Sequence, residues 1–529
     1  TPMFRSARSM LLGTFVLLAA AGCTNLTSEP KSTASSSSIW DDPGSYRAYI
    51  AKIYGGLQLS GQQGPAGDPD IKGIDEGFSG YIRLLWQMEE LPTDEAAIAW
   101  NDAGVQELNT QLWSADNQFL GAMYSRIYFQ VALVNEFLRE TTDEKLTARN
   151  VSDDLRAQIH QYRAEARFLR ALSYWHGIDL FGDIPLVKED FPLGTTPPQQ
   201  ATRAEVFSYI VSELDSIRPD LPAAGDGEYG RADQGAVDML LATLYLNAEV
   251  YAGEDHYADA LQAVERVIAS PAYQLAPKYM NNFLADNNTS PEIIFAVPFD
   301  GTHTQSYGGT TFLTHAEVGG NEMNAPQYGL DGGWGGLRLK PDAAELFPGG
   351  PTGPDRRASY FFTAGHTEDM PSLTEFTNGW AAPKFQNVTS GGAPGSSSQF
   401  SDVDYPVFRL ADAYLIYAEA VLRGGGGTRA QALDYINRLR ERAYGDASGD
   451  ITDADLTLDF ILAERGRELL WEGYRRTDLI RFGQFTTNGV WAWKGNVEAG
   501  RTTEEFRNLY PLPATELVAN PNLKQNPGY

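Results

Sequence analysis

Apolar residues recur along this chain at helical spacing, in several separated blocks. The longest block places Leu155, Ile159, Tyr162, Ala166, Leu169, Ser173, His176 and Leu180 at alternating steps of four and three. One face of a helix repeats at that interval, so the spacing predicts a single long helix ending near Gly182. Arg163, Glu165, Arg167 and Arg170 fall off the stripe, and Pro185 begins an extended exit. Upstream, Asp41, Asp42 and Pro43 open a helix that runs to about Leu59, with the acids and proline that helix N-termini favour. A long helix is expected over 105–140, and a last one over about 455–473. Residues 236–251 are apolar nearly all round and 257–269 are amphipathic; residues 408–422 and 429–442 repeat that order. Each pair reads as a tetratricopeptide-like helical hairpin. The pairs are irregularly spaced, which predicts scattered hairpins and not a continuous solenoid.

Three stretches, 60–104, 271–404 and 483–529, lack helical periodicity. Loops of such length inside a folded body are usually functional or disordered, and their aromatic content argues against disorder. The apolar run 292–297 reads as a short strand. The expected fold class is mainly α: a tetratricopeptide-like hairpin scaffold with long irregular loops and a few short strands.

The N-terminus changes the picture from a free protein to an anchored one. Arg5 and Arg8 precede a 13-residue apolar run, 10–22. That is too short for a membrane-spanning helix, which needs about 20 residues, and suits an export signal. Small residues then lead into Cys23, the only cysteine of the chain. Ala20-Ala21-Gly22-Cys23 resembles a lipobox, with Ala20 where a larger residue is usual. The expectation is a signal peptide over 1–22, lipidation at Cys23 and a Ser/Thr-rich tether over 23–38. The other reading is an ordinary cleaved signal with an incidental cysteine. Met3 reads as the start. A lone cysteine allows neither an intrachain disulfide nor a cysteine-built zinc site.

Charge excludes one class of partner. Lys and Arg number 41 against 69 Asp and Glu, a formal net charge of −28. A nucleic-acid binder needs a basic face.

Four stretches are recognisable: RAEARFLRALSYWHGIDLFGDIPLV (163–187), RLADAYLIYAEA (409–420) with ALDYINRLRERA (432–443), ILAERGRELLWEGYRRTDLIRFG (461–483) and LYPLPATELVANPNLKQNPGY (509–529). With them the chain resembles the SusD/RagB family of nutrient-binding outer-membrane lipoproteins. The resemblance implies a single SusD-like substrate-binding domain over 39–529, lipid-anchored at the cell surface. It also implies a TonB-dependent outer-membrane barrel as partner and no catalytic activity. The implied ligand is an oligosaccharide or, alternatively, a peptide.

Catalytic and cofactor motifs are absent from the sequence. No two of the six histidines stand at zinc-helix spacing, and His176, on the apolar stripe, reads as a core residue. Residues 424–427 are glycines without the Lys-Ser/Thr of a phosphate loop. Asp68, Asp70, Asp75 and Glu76 suggest calcium, yet Lys72 and Ser79 depart from an EF-hand. Glu89-Glu90 and Asp94-Glu95 could be a hydrolase's carboxylates, a third and weaker reading in so acidic a chain. The charges of 464–481 read as ion pairs: Glu464 with Arg467, Glu472 with Arg475 or Arg476, Asp478 with Arg481.

Sugar binding needs flat apolar faces and planar hydrogen-bond partners. Aromatics on loops meet that need. Trp100 stands beside Asn101 and Asp102 in a polar loop, and Trp334 lies between glycine pairs. Tyr307 lies in a Gly/Thr/Ser-rich loop, Tyr328 precedes Gly329, and Trp380 follows Asn378 and Gly379. Asn101, Asp102 and these five aromatics are the expected ligand-binding residues. Trp175 and Trp471 are expected to pack in helices.

Overall fold

A computed structural model describes residues 39–529 apart from residues 66 and 195. The signal, Cys23 and the tether lie outside the described residues.

Helix α1 spans Gly44–Gln58, α2 Tyr81–Glu90, α3 Gln118–Glu140, α4 Asp153–Phe181, α5 Arg203–Ile217, α6 Gln234–Leu246 and α7 Tyr257–Ile268. The striped helix α4 starts under the Ser152 hydroxyl and the acids Asp153 and Asp154, and it stops at Gly182, whose φ of +74° suits glycine. α3 packs on α4, α4 on α5, and α6 on α7. After strand β2 (Ile293–Val297) come α8 (Gly309–Ala316) and β3 (Leu337–Leu339). β4 (Tyr405–Arg409) follows, then α9 (Leu410–Leu422), α10 (Arg429–Tyr444), α11 (Leu458–Glu468) and α12 (Arg475–Arg481). The two expected hairpins are α6–α7 and α9–α10, and they pack together through α7 and α9. β2 pairs antiparallel with β4. One apolar core runs from Trp40 to Leu523 and links helices to loops. Among the described residues no helix is long and apolar enough to cross a membrane.

Three expectations are corrected. The helix expected over 105–140 is broken: Gln111 is left-handed (φ +58°), its amide side chain reaches the carbonyls of Pro92 and Phe485, and Asn117 caps a new helix. The last helix ends at Glu468, and Trp471 turns left-handed (φ +63°) before α12 begins. α4 is not one-faced. Its second half is buried all round, with Glu165 bonded to Arg231 and Arg170 to Glu189 and Glu213.

The charge-dense segment folds inward. Glu464–Arg467 and Asp478–Arg481 form at 2.7 and 2.8 Å. Glu472 instead reaches Lys384 at 2.7 Å and Arg409 at 2.6 Å. Arg409 also takes Glu292 and Glu468, which closes a buried lattice between β4, α11 and the turn before α12.

Candidate functional site

A two-strand ladder holds the site. β1 (Ala96–Ile98) runs antiparallel to β3 with Ile98 opposite Leu337, and Ala99 N–H continues the ladder to Gly336 O at 2.9 Å. Trp100 and Trp334 therefore leave the same end of one ladder. Their ring centroids are 6.3 Å apart with planes 49° apart, and Trp100 Nε1 donates to Trp334 O at 3.2 Å.

α8 holds the other strand of this end. The last carbonyls of a helix lack intrahelical partners. Here His315 O, Ala316 O and, just beyond, Val318 O accept the amides of Trp334, Gly336 and Gly335 at 2.8–2.9 Å. The glycines serve this close approach. A Cβ on Gly336 would lie 2.6 Å from the Trp100 indole, and one on Gly333 would meet the Val318 carbonyl. Only Gly332 of this stretch has open space around it.

Tyr307 precedes α8 and completes a bent row. Its ring is 6.2 Å from Trp334 at 55°, and Gln399 Nε2 donates to its hydroxyl at 2.9 Å. All three rings are half-buried, with the exposed Asn101 and half-buried Asp102 beside Trp100. Phe312 of α8 meets Trp100 edge-on at 5.9 Å. Beneath lies Arg83 of α2, which donates to Gly77 O at 2.8 Å and Tyr307 O at 3.2 Å. Its guanidinium lies over Phe312 and Phe78 at 4.4 and 4.6 Å and 5.6 Å from Trp100. Burial pulls its pKa down to about 9, against the pull of Asp102 and Asp75, so it stays charged at neutral pH. His315 lies under Trp334 at 4.7 Å.

The arrangement brings Trp100, Asn101, Asp102, Tyr307 and Trp334 together. Tyr328 and Trp380 are not among the rings that meet there. Tyr328 packs on the small cluster of Val318, Met323, Leu330 and Ala381, and Trp380 packs against Gly350 and Phe361. Arg83 escapes a reading of the sequence because α2 is only ten residues long and the polar face that Arg83 shares with Gln87 and Glu90 is itself buried.

The chain is 35% identical to the starch-binding protein SusD of Bacteroides thetaiotaomicron over 91% of both chains. It belongs to the SusD family. The SusD family model itself matches residues 358–529. A SusD-like protein, P2, of Formosa agariphila is 28% identical over 80% of this chain and 83% of its own. The fold matches a SusD superfamily protein from Parabacteroides distasonis (TM-score 0.70, 24% identity, 92% of this chain and 99% of that one). It also matches surface glycan-binding protein A of B. thetaiotaomicron, solved with laminarihexaose (TM-score 0.69, 21% identity, 91% and 98%).

The carboxylates weighed as hydrolytic are structural in this SusD-family chain. Glu89 and Asp179 share Arg476, Glu90 accepts Gly473 N at 2.6 Å, and Glu95 accepts Trp471 N at 3.0 Å. Asp94 holds Arg475 by two bonds of 2.7 and 2.6 Å. Burial and crowding of like charges push Glu89, Glu90 and Glu95 up. His176 is buried, bonded to Tyr81 at 2.8 Å and held neutral by burial, with its pKa near 3. Among the described residues no group of three His, Cys, Asp or Glu could hold a metal, and Asp70 faces Arg126 at 3.5 Å.

Proposed function

We propose that this chain captures a helically curved α-glucan without cleaving it. The observation that carries the reading is the tilt of the platform. Its planes turn by 49° and 55° about Trp334. Rings that turn against one another fit a sugar chain that coils, as an α-1,4-glucan does; a flat β-1,4 chain fits coplanar rings. The indoles and phenol supply faces for sugar C–H groups, and Asn101 and Asp102 supply hydrogen bonds beside them. The relative at 35% identity is named for starch binding. Cys23 anchors the body to the outer membrane at the cell surface, and a TonB-dependent barrel takes the captured glucan onward.

Calorimetry with maltoheptaose, cellohexaose and a mixed peptide pool tests the ligand. Binding of maltoheptaose alone is expected, with no reducing ends released on incubation with starch. Binding of cellohexaose or peptide without maltoheptaose overturns the reading.

A further inference from the structure

Trp334 stands between two glycine pairs, 332–333 and 335–336. Glycine leaves a backbone wide conformational freedom, so something else must hold the indole at its angle. Trp100 and Tyr307 touch its edges at over 6 Å with steep tilts. Among the described residues only His315 lies close and nearly parallel, with centroids 4.7 Å apart and planes 30° apart.

His315 is itself rigidly held. It is 1% exposed, in the last turn of α8. Its Nδ1 lies 3.0 Å from Thr311 O, which can only accept, so Nδ1 carries the hydrogen. Its Nε2 is 3.6 Å from Asp331, the residue that opens the glycine stretch. Burial lowers its pKa, so the ring is an uncharged flat plate at neutral pH. The carbonyl of the same residue accepts Trp334 N–H at 2.8 Å. One residue thus fixes both the backbone and the ring of Trp334.

We propose that His315 is a positioning residue for glycan capture, setting the tilt of the Trp334 indole and with it the curvature of the platform. A ring already held at its binding angle loses less freedom on association than a mobile one. The inference rests on the glucan reading above, and its test separates the two.

His315→Ala removes the plate, and His315→Phe restores a flat ring without the hydrogen bonds. Affinity for maltoheptaose is measured by calorimetry. The Trp334 signal is followed by fluorine NMR in protein labelled with 5-fluorotryptophan, assigned by its loss in Trp334→Phe. His315→Ala is expected to bind roughly five- to ten-fold more weakly, with a shifted and broadened Trp334 signal, and His315→Phe to recover both. Should His315→Ala fail to fold, His315→Leu fills the space without a plate and replaces it. A folded Ala or Leu variant with unchanged signal and affinity overturns the proposal, as does a Phe variant that rescues neither. If the wild type binds no malto-oligosaccharide while the signal responds and Phe restores it, the ligand assignment fails and the positioning role stands.

Discussion

Adding one methyl group beneath Trp100 should disable the platform without touching any ligand-facing atom. Gly336→Ala places a Cβ 2.6, 2.7 and 2.9 Å from three atoms of the indole, where ordinary contact begins near 3.4 Å. The indole must therefore retreat by roughly 0.5–0.8 Å, or the ladder must open, since cores do not absorb such overlap. Trp100 Nε1 already sits 3.2 Å from Trp334 O, so retreat breaks that bond and tips the ring on Phe312. The φ of Gly336 lies outside the left-handed region, so the change is purely steric. Overpacking of this kind costs about 1–3 kcal/mol, and a displaced ring of three should cost about ten-fold in affinity or more. The control is Gly332→Ala, whose Cβ meets nothing within 4 Å. Denaturant titration and maltoheptaose calorimetry on both variants check the reasoning. Wild-type affinity in folded Gly336→Ala, or equal losses in the two variants, would refute it.

Four further outcomes are expected. Trp334→Ala and Tyr307→Ala should lose glucan binding with small changes in melting temperature. Trp380→Ala should keep its affinity while losing stability, and calorimetry beside thermal scans separates these. Arg409→Met takes one cation from Glu292, Glu468 and Glu472, which keep only Arg442, Arg357 and Lys384, and leaves the buried lattice one positive charge short, at a cost of about 3–5 kcal/mol by urea denaturation. Lys340 is buried, with its ammonium on the carbonyls of Leu91, Thr93 and Asn109, and burial lowers its pKa from 10.5 to about 7. Between those values the unfolded chain holds the proton that the native chain has released, so this residue makes stability rise with pH, by at most ~1.4 kcal/mol per unit. Unfolding curves from pH 7 to 10 should show that rise diminished in Lys340→Met.

Helix α4 was legible because eight positions repeat one interval and its ends carry a serine cap and a glycine stop. α2 was not, since it is only ten residues long and its polar face of Arg83, Gln87 and Glu90 is buried with the rest. The break at Gln111 escaped because a tertiary pull on its side chain, from Pro92 and Phe485, outweighs a locally helical pattern. Of the five loop aromatics that stand among polar and glycine residues, Trp100, Tyr307 and Trp334 meet in space, which their sequence neighbourhoods do not reveal. The same local signs at Tyr328 and Trp380 accompany packing against the protein's own backbone, because a glycine marks close approach without saying by what. Glu472 was assigned to its helical neighbours, yet its partners Lys384 and Arg409 lie 88 and 63 residues away. His315 carries no local mark and Arg83 only a place on a short polar helix face; the meeting of α2 and α8 beneath the rings brings them together.

The ladder of β1 and β3 acts as a ruler for whatever hangs from its end. Side chains alternate faces along a strand, so slipping the pairing by one residue would turn Trp100 away from Trp334. The spacing of the two rings is thus decided in the core, while the loops around them are free to change length. Redesign of ligand preference in this scaffold is accordingly a matter of exchanging residues 99–102 and 331–336 as one graft, with the ruler left untouched.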